Sequence, residues 1–151
     1  MTLNHFSPLL CMMCRSSACY EELPVCRKCL NKFHRILSAK CINCGRTPHD
    51  CDCYNQGNIR FLFFYEGFRA KKLMFFIKSN VDRVAMDFIA ELLVENCGIN
   101  LDTFDAVTFV PRRRSVARRY GHDQAKELAK AISRVYNVPF VKTMNRVGGG
   151  E

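Results

Sequence analysis

Four close cysteine pairs decide the organisation of this chain: Cys11-Met12-Met13-Cys14, Cys26-Arg27-Lys28-Cys29, Cys41-Ile42-Asn43-Cys44 and Cys51-Asp52-Cys53. Two thiolates at this spacing can reach one ion from a tight turn, so two pairs supply the four tetrahedral ligands that structural zinc prefers. One such pair would be weak evidence, whereas four pairs in a short segment are strong evidence. The sequence therefore predicts a cysteine-rich zinc-binding module over residues 9–54.

The competing interpretation is the disulfide framework of a small secreted domain. The first ten residues have no basic region and too short an apolar run to resemble a secretion signal. We therefore expect a cytoplasmic protein, in which reduced thiols favour metal binding over stable disulfides. Cys19 and Cys97 stand outside the pairs, and Cys97 fits the pattern of a small buried apolar residue.

The spacing leaves two pairings of the eight cysteines open. The first two pairs form one site and the last two form another in a sequential arrangement, whereas an interleaved arrangement uses alternate pairs. Phe33, Ile36 and Leu37 lie at helical spacing between the second and third pairs and predict a short spacer helix, which favours the sequential arrangement. Three histidines lie near the pairs: His5, His34 and His49. Since four cysteines complete each site, we expect these histidines to be exposed bystanders.

Length and charge limit the remaining possibilities. A chain of 151 residues has room for a small metal module and part of a larger domain, here residues 58–151. No segment approaches the length of a transmembrane helix. The 23 Lys and Arg residues outnumber the 14 Asp and Glu residues, and the net charge of +9 favours anionic partners.

The second region shows an alternation of strand and helix patterns. Three short apolar segments predict strands: 59–65, 104–110 and 138–141. Helical spacing predicts helices between them, and Ser79 and Asp82 stand in the relation of a capping box before one of these helices. Strand, helix and strand at this spacing predict a βαβ unit. The expected fold is therefore α/β, with a parallel sheet and a binding site at the carboxyl ends of its strands.

The segment after the second predicted strand is the most basic part of the chain: Val110-Pro111-Arg112-Arg113-Arg114-Ser115-Val116-Ala117-Arg118-Arg119-Tyr120-Gly121-His122-Asp123-Gln124. We call residues 110–124 the arginine loop. Backbone amides at a helix start, the helix dipole and guanidinium groups all favour a bound phosphate or pyrophosphate. A solvated basic loop, or a nucleic-acid contact that reads backbone charge alone, explains the composition equally well.

These motifs follow one another in a recognisable order: the cysteine pairs, Tyr65-Glu66-Gly67, Lys78, Val110-Pro111, and Arg119-Tyr120-Gly121-His122-Asp123-Gln124 running into Leu128-Ala129. The series resembles the ComF family, phosphoribosyltransferase-like proteins associated with DNA uptake in naturally competent bacteria. The resemblance runs from about residue 9 to the end of the chain. Its motifs are moderately specific individually and highly specific in this order.

The resemblance implies a type I phosphoribosyltransferase fold that holds phosphoribosyl pyrophosphate with magnesium. Arg119 and Gly121 match the family's pyrophosphate loop, and Lys78 matches its lysine after the first helix. His122 departs from the family, which usually has Phe or Tyr there. Asp123-Gln124 match the polar pair that opens the following helix.

A second departure concerns the phosphoribosyltransferase signature itself. This signature is an apolar strand that ends in two acidic residues and a Thr/Gly-rich turn, and nothing in the chain fits it. The resemblance therefore implies an incomplete domain, with only its N-terminal part in residues 58–151, and leaves transferase activity open. Partners implied by the family are the competence machinery and DNA.

Two alternatives come from other functional classes. In one, the chain is a zinc-ordered nucleic-acid-binding module that uses the arginine loop on phosphates. In the other, it is a redox or metal-storage protein built on the cysteine pairs, which would need an environment that lowers the pKa of the thiols.

Overall fold

The computed structural model describes residues 10–11, 13–16, 23–54, 59–79 and 82–145. The helices of this part are α1 (Arg27–Leu37), α2 (Gly67–Ser79), α3 (Arg83–Asn96), α4 (Arg114–Tyr120) and α5 (Gln124–Tyr136), with a short 3-10 helix at Leu101–Thr103. None of these helices has the length and apolarity needed to cross a membrane.

Helix α1 joins the two halves of the cysteine-rich region. Its buried residues, Cys29, Phe33 and Ile36, recur at the helical spacing that puts them on one face. Cys26 occupies the N-cap position, so the helix starts from a cysteine of the second pair. The predicted spacer helix is therefore present, and it also carries one of the predicted ligands.

The predicted α/β fold with a parallel-sheet, phosphoribosyltransferase-like domain is wrong. Among the described residues, β pairing is limited to one parallel bridge between Val107 and Phe140. Val107 donates its backbone N–H to Pro139 O at 2.8 Å and accepts one from Val141 at 3.0 Å. Pro139 has no N–H to extend the ladder, and no further strand lies beside the two segments in the described part of the chain.

The segment 59–65 is also not a strand. Its described residues run through coil and bends. Phe61 and Phe64 instead pack on each other and on Tyr54, with ring centroids 5.2–6.3 Å apart. Aromatic residues favour strands only where a neighbouring strand provides a surface, and here they pack locally.

The prediction of a capping box is correct for Asp82 but wrong for Ser79. Asp82 caps α3 and accepts the Ala85 N–H at 3.0 Å. Ser79 is the last residue of α2, and its hydroxyl donates to Phe75 O at 2.8 Å. A serine that bonds to its own helix four residues back is not available to the next helix.

One hydrophobic core runs through the cysteine-rich region and the helices. Its buried members come from four helices, from the first two cysteine pairs and from Val25 just before α1: Cys11, Val25, Cys29, Phe33, Ile36, Ala70, Leu73, Phe76, Ala85, Met86, Phe88, Ile89, Ala90 and Ala131. Phe33 of α1 meets Phe88 of α3 edge to face at 5.7 Å. Helix α3 also packs against α5, where Arg134 pairs with Asp87.

Candidate metal centres and the arginine loop

The first cysteine group consists of Cys11, Cys14, Cys26 and Cys29, whose ligand atoms all lie within 4.8 Å of one another. The Cys14 and Cys26 sulfurs are 3.8 Å apart. Four sulfurs held at about 2.3 Å from a tetrahedral zinc ion stand about 3.8 Å from one another. The group therefore has the dimensions of a four-thiolate metal site.

The second group consists of Cys41, Cys44, Cys51 and Cys53 and meets the same distance limit. Its Cys44 and Cys51 sulfurs are 3.6 Å apart. Since each group contains two consecutive pairs, the arrangement is sequential and not interleaved. Bonded sulfurs would be about 2.05 Å apart, so these distances fit ligands of a shared ion and not disulfides.

The first cysteine pair of each group lies on a backbone turn of the same type. Arg15 N donates to Cys11 O at 2.9 Å, and Gly45 N donates to Cys41 O at 2.9 Å. Arg15 and Gly45 both adopt left-handed backbone, with φ of +57° and +69°. This turn brings two thiols three residues apart to the same side of the chain.

The two groups differ in how they join the core. Cys11 and Cys29 belong to the hydrophobic core, with 0% and 3% of their surface exposed. Cys41 and Cys51 are equally buried but lie outside that core cluster. The first group is therefore part of the main packing, whereas the second lies outside the core cluster.

The local environment separates the thiols by pKa. Hydrogen bonding to Ser16, at 2.7 Å, lowers the pKa of Cys14 to about 6. A backbone hydrogen bond from Cys44 lowers the pKa of Cys41 to about 7. Burial raises the pKa of Cys29, and hydrogen bonding to Cys44 raises that of Cys53 to about 12. Each group thus combines a cysteine whose pKa is lowered with one whose pKa is raised.

His34 and His49 are not members of either group. His34 is exposed on α1. His49 contacts Asp50 through Nδ1 at 2.8 Å, and its ring lies against Gly98 at the end of α3. His5 lies outside the described residues, as does Cys19. Nothing in the spacing of the residues predicts the contact between His49 and Gly98.

Several side-chain contacts hold the arginine loop in place, and only some of them involve the residues predicted to bind pyrophosphate. His122 Nε2 donates to Lys78 O at 2.9 Å, which brings the end of α2 to the loop. Asp123 accepts the Arg112 N–H at 2.8 Å and also caps α5. The Arg112 guanidinium stacks over the Tyr120 ring at 4.7 Å. Sequence analysis missed the roles of Arg112, Tyr120 and Asp123 as the frame of this loop.

The three residues predicted to bind pyrophosphate remain a prediction. Arg119 is exposed in the last turn of α4 and Lys78 is half-buried. Gly121 is left-handed with φ of +75°, but among the described residues beyond its chain neighbours no heavy atom lies within 4 Å of the position of a Cβ there. Glycine is therefore favoured by its backbone conformation, while the close approach of another backbone group is absent from the described structure.

No protein-family profile, curated protein or solved structure matched the chain.

Proposed function

We propose that each four-cysteine group binds one structural zinc ion. The observation that carries this proposal is the convergence of eight thiols into two groups of four, each within 4.8 Å. Four thiolates leave no open coordination position, which is typical of structural and not catalytic zinc. The ions would hold the cysteine-rich region in place on the helices.

Elemental analysis tests the proposal directly. Protein purified under reducing conditions without chelator should contain two zinc ions per chain, and cobalt substitution should give the spectrum of tetrahedral thiolate coordination. Less than one zinc ion per chain contradicts the proposal. One ion per chain means that a single group is occupied.

A second proposal concerns the arginine loop, which we infer binds an anionic ligand. Among the described residues, Arg112 Nη1 is buried without a hydrogen-bond partner. A buried unpaired donor on a charged group is costly, and an anion in the loop would remove that cost. The exposed guanidinium groups of Arg113, Arg118 and Arg119 lie in the same segment.

The ordered motifs suggest which anion to test. From the resemblance to the ComF family, we propose pyrophosphate or phosphoribosyl pyrophosphate with magnesium, and a role in DNA uptake together with competence proteins. This proposal rests on the residues of the loop and on Lys78, not on a sheet. The alternative ligand is the phosphate backbone of nucleic acid.

Titration separates these ligands. Arg119→Ala should weaken binding of magnesium pyrophosphate by about 1.5–3 kcal/mol, the value of a charge-assisted contact. Lys28→Ala removes an exposed cation from α1 and serves as the control. If Arg119→Ala leaves pyrophosphate affinity unchanged but reduces DNA binding and its salt dependence, the nucleic-acid alternative replaces the pyrophosphate proposal.

A further inference from the structure

A cavity of about 400 Å³ opens between α1 and the beginning of α2. Four side chains give it an apolar lining: Ile36, Ala39, Phe64 and Ala70. Phe68 also lines the cavity yet leaves 79% of its surface exposed. Phe75, seven residues along α2 and on the same helical face, is 72% exposed. We call this cavity, with Phe68 and Phe75, the α1–α2 groove.

The surroundings of the groove are strongly basic. Arg35 and Lys40 line the cavity, where Glu66 is the single carboxylate. Lys71 and Lys72 are exposed on α2 beside Phe68. Within the described part of the chain, none of these four cations forms an ion pair. The groove thus combines an apolar surface with a surplus of unpaired positive charge.

We propose that the α1–α2 groove binds an acidic segment of another protein. The segment would carry an aromatic or aliphatic anchor residue flanked by Asp or Glu. The cavity receives the anchor, because its lining is apolar and its volume fits a large side chain. The flanking carboxylates meet Arg35, Lys40, Lys71 and Lys72, and this complementarity steers association and selects acidic partners. Phe68 and Phe75 extend the apolar contact along α2.

The lining favours a peptide over a nucleic acid. A nucleobase buried in a pocket needs donors or acceptors for its polar edges, because unpaired polar groups are costly there. The apolar side chains of the lining, from Ile36, Ala39 and Ala70, offer neither, so only the charged groups of Arg35, Lys40 and Glu66 are left to pair with such edges. An apolar side chain has no such requirement. The proposal is independent of anion binding at the arginine loop and needs only that α1 stays in place.

Selection from a random-peptide display library tests the proposal. The zinc-loaded full chain serves as the bait, and peptides that also bind Phe68→Ser are removed. Enriched peptides should contain an aromatic or aliphatic residue next to Asp or Glu. Enrichment of basic or uncharged sequences overturns the proposal, and so does a failure to enrich any sequence.

Calorimetry with one enriched peptide then locates the site. Arg35→Glu and Lys40→Glu should each weaken binding roughly tenfold or more, and Lys71→Glu provides a further charge reversal. Lys142→Glu makes the same charge reversal at an exposed lysine outside α1 and α2 and should bind as the wild type. Phe104→Ser, at another exposed aromatic residue, is the control for Phe68→Ser. Circular dichroism and zinc content confirm that the variants are folded.

Two results contradict the proposal at this stage. One is equal peptide affinity for the wild type, Arg35→Glu and Phe68→Ser. The other is tighter binding of oligothymidylate or of anionic phosphatidylserine vesicles through the same residues, which assigns the groove to nucleic acid or to a membrane surface.

Discussion

The contact between Gly98 and His49 joins the second cysteine group to the end of α3. A Cβ at Gly98 would lie 2.5 Å from His49 Nε2, closer than the two atoms can approach. Gly98 also has a left-handed backbone, with φ of +58°. Both the backbone conformation and the nearby His49 ring therefore favour glycine at this position.

Gly98→Ala should destabilise the protein more than Gly121→Ala. Both changes place a side chain on left-handed backbone, which costs about 1–2 kcal/mol. Only the change at Gly98 adds a steric conflict, worth a further 1–3 kcal/mol or so. Urea unfolding measures the difference, and the added His49→Ala should recover part of it. Equal losses at the two glycines would show that His49 moves aside without cost.

Individual cysteines should differ in their effect on zinc. Cys97 is buried outside both groups, and burial raises its pKa. Cys97→Ser should therefore keep two zinc ions per chain and affect packing alone. Cys14→Ser should keep one, because it removes a ligand of the first group. Elemental analysis measures the zinc content of both variants. Equal zinc content would mean that Cys14 is not a ligand.

At the scale of elements, Asp123 connects α5 to the arginine loop. One carboxylate oxygen accepts the Ala125 N–H at 3.2 Å and the other accepts the Arg112 N–H at 2.8 Å. Asp82 caps α3 through Ala85 alone in the described structure. Comparing variants of the two aspartates therefore separates the stability contributed by a helix cap from the stability contributed by the contact with Arg112.

Asp123→Ala should cost more stability than Asp82→Ala. Loss of an N-cap side chain costs about 1 kcal/mol in either variant. Asp123→Ala also breaks the hydrogen bond to Arg112, so we expect roughly 1 kcal/mol more. Chemical denaturation gives the comparison, and amide exchange should show faster opening near Arg112. If the two variants are equally stable, the Arg112 contact contributes nothing.

The two cysteine groups should stabilise different elements. Cys11 and Cys29 share the core with Phe88 of α3, whereas the second group contacts α3 through His49 and Gly98 at its end. Disruption of the first group therefore exposes core surface, while disruption of the second loosens a loop. This difference follows from packing, since the thiols of both groups are similarly arranged.

At the scale of the whole molecule, the hydrophobic core of the described residues would link zinc binding to folding. The first group and four helices bury their apolar residues together. Because zinc binding would fix Cys11 and Cys29 in this core, its binding free energy contributes to the stability of the whole chain. A chelator should consequently destabilise the helices as well as the cysteine-rich region.

Acidification should release zinc. The pKa values of Cys14 and Cys41, lowered to about 6 and about 7, mean that both are largely thiolates above neutral pH. Their contribution to stability is present at high pH and is lost as the pH falls through these values. Protons then compete with zinc at every ligand. Competition with a chromophoric chelator should show weaker zinc binding from pH 7.5 to 5.5, and a constant affinity would contradict this.

Much of the local structure was predictable from sequence. The two cysteine groups, the spacer helix α1 and the helix α5 follow from spacing within a few turns of chain. These elements depend on residues that are close together in the sequence, so residue spacing is enough to predict them. The basic segment before α5 was predicted as a loop, but residues 114–120 of it form helix α4. Its framing contacts among Arg112, Tyr120 and Asp123 were not foreseen either.

The sequence by itself determined that the eight paired cysteines are candidate metal ligands and that α1, α2, α3 and α5 are helices. The tertiary structure decided which four thiols share each group. Only the tertiary structure decided that 59–65 packs as an aromatic cluster, that 104–110 and 138–141 meet at a single bridge, and that one core joins both regions. The physical reason is that a helix makes its backbone hydrogen bonds within one segment, and a turn with two cysteines brings its thiols together within a few residues. A strand needs hydrogen-bond partners from distant parts of the chain, and local spacing does not specify them.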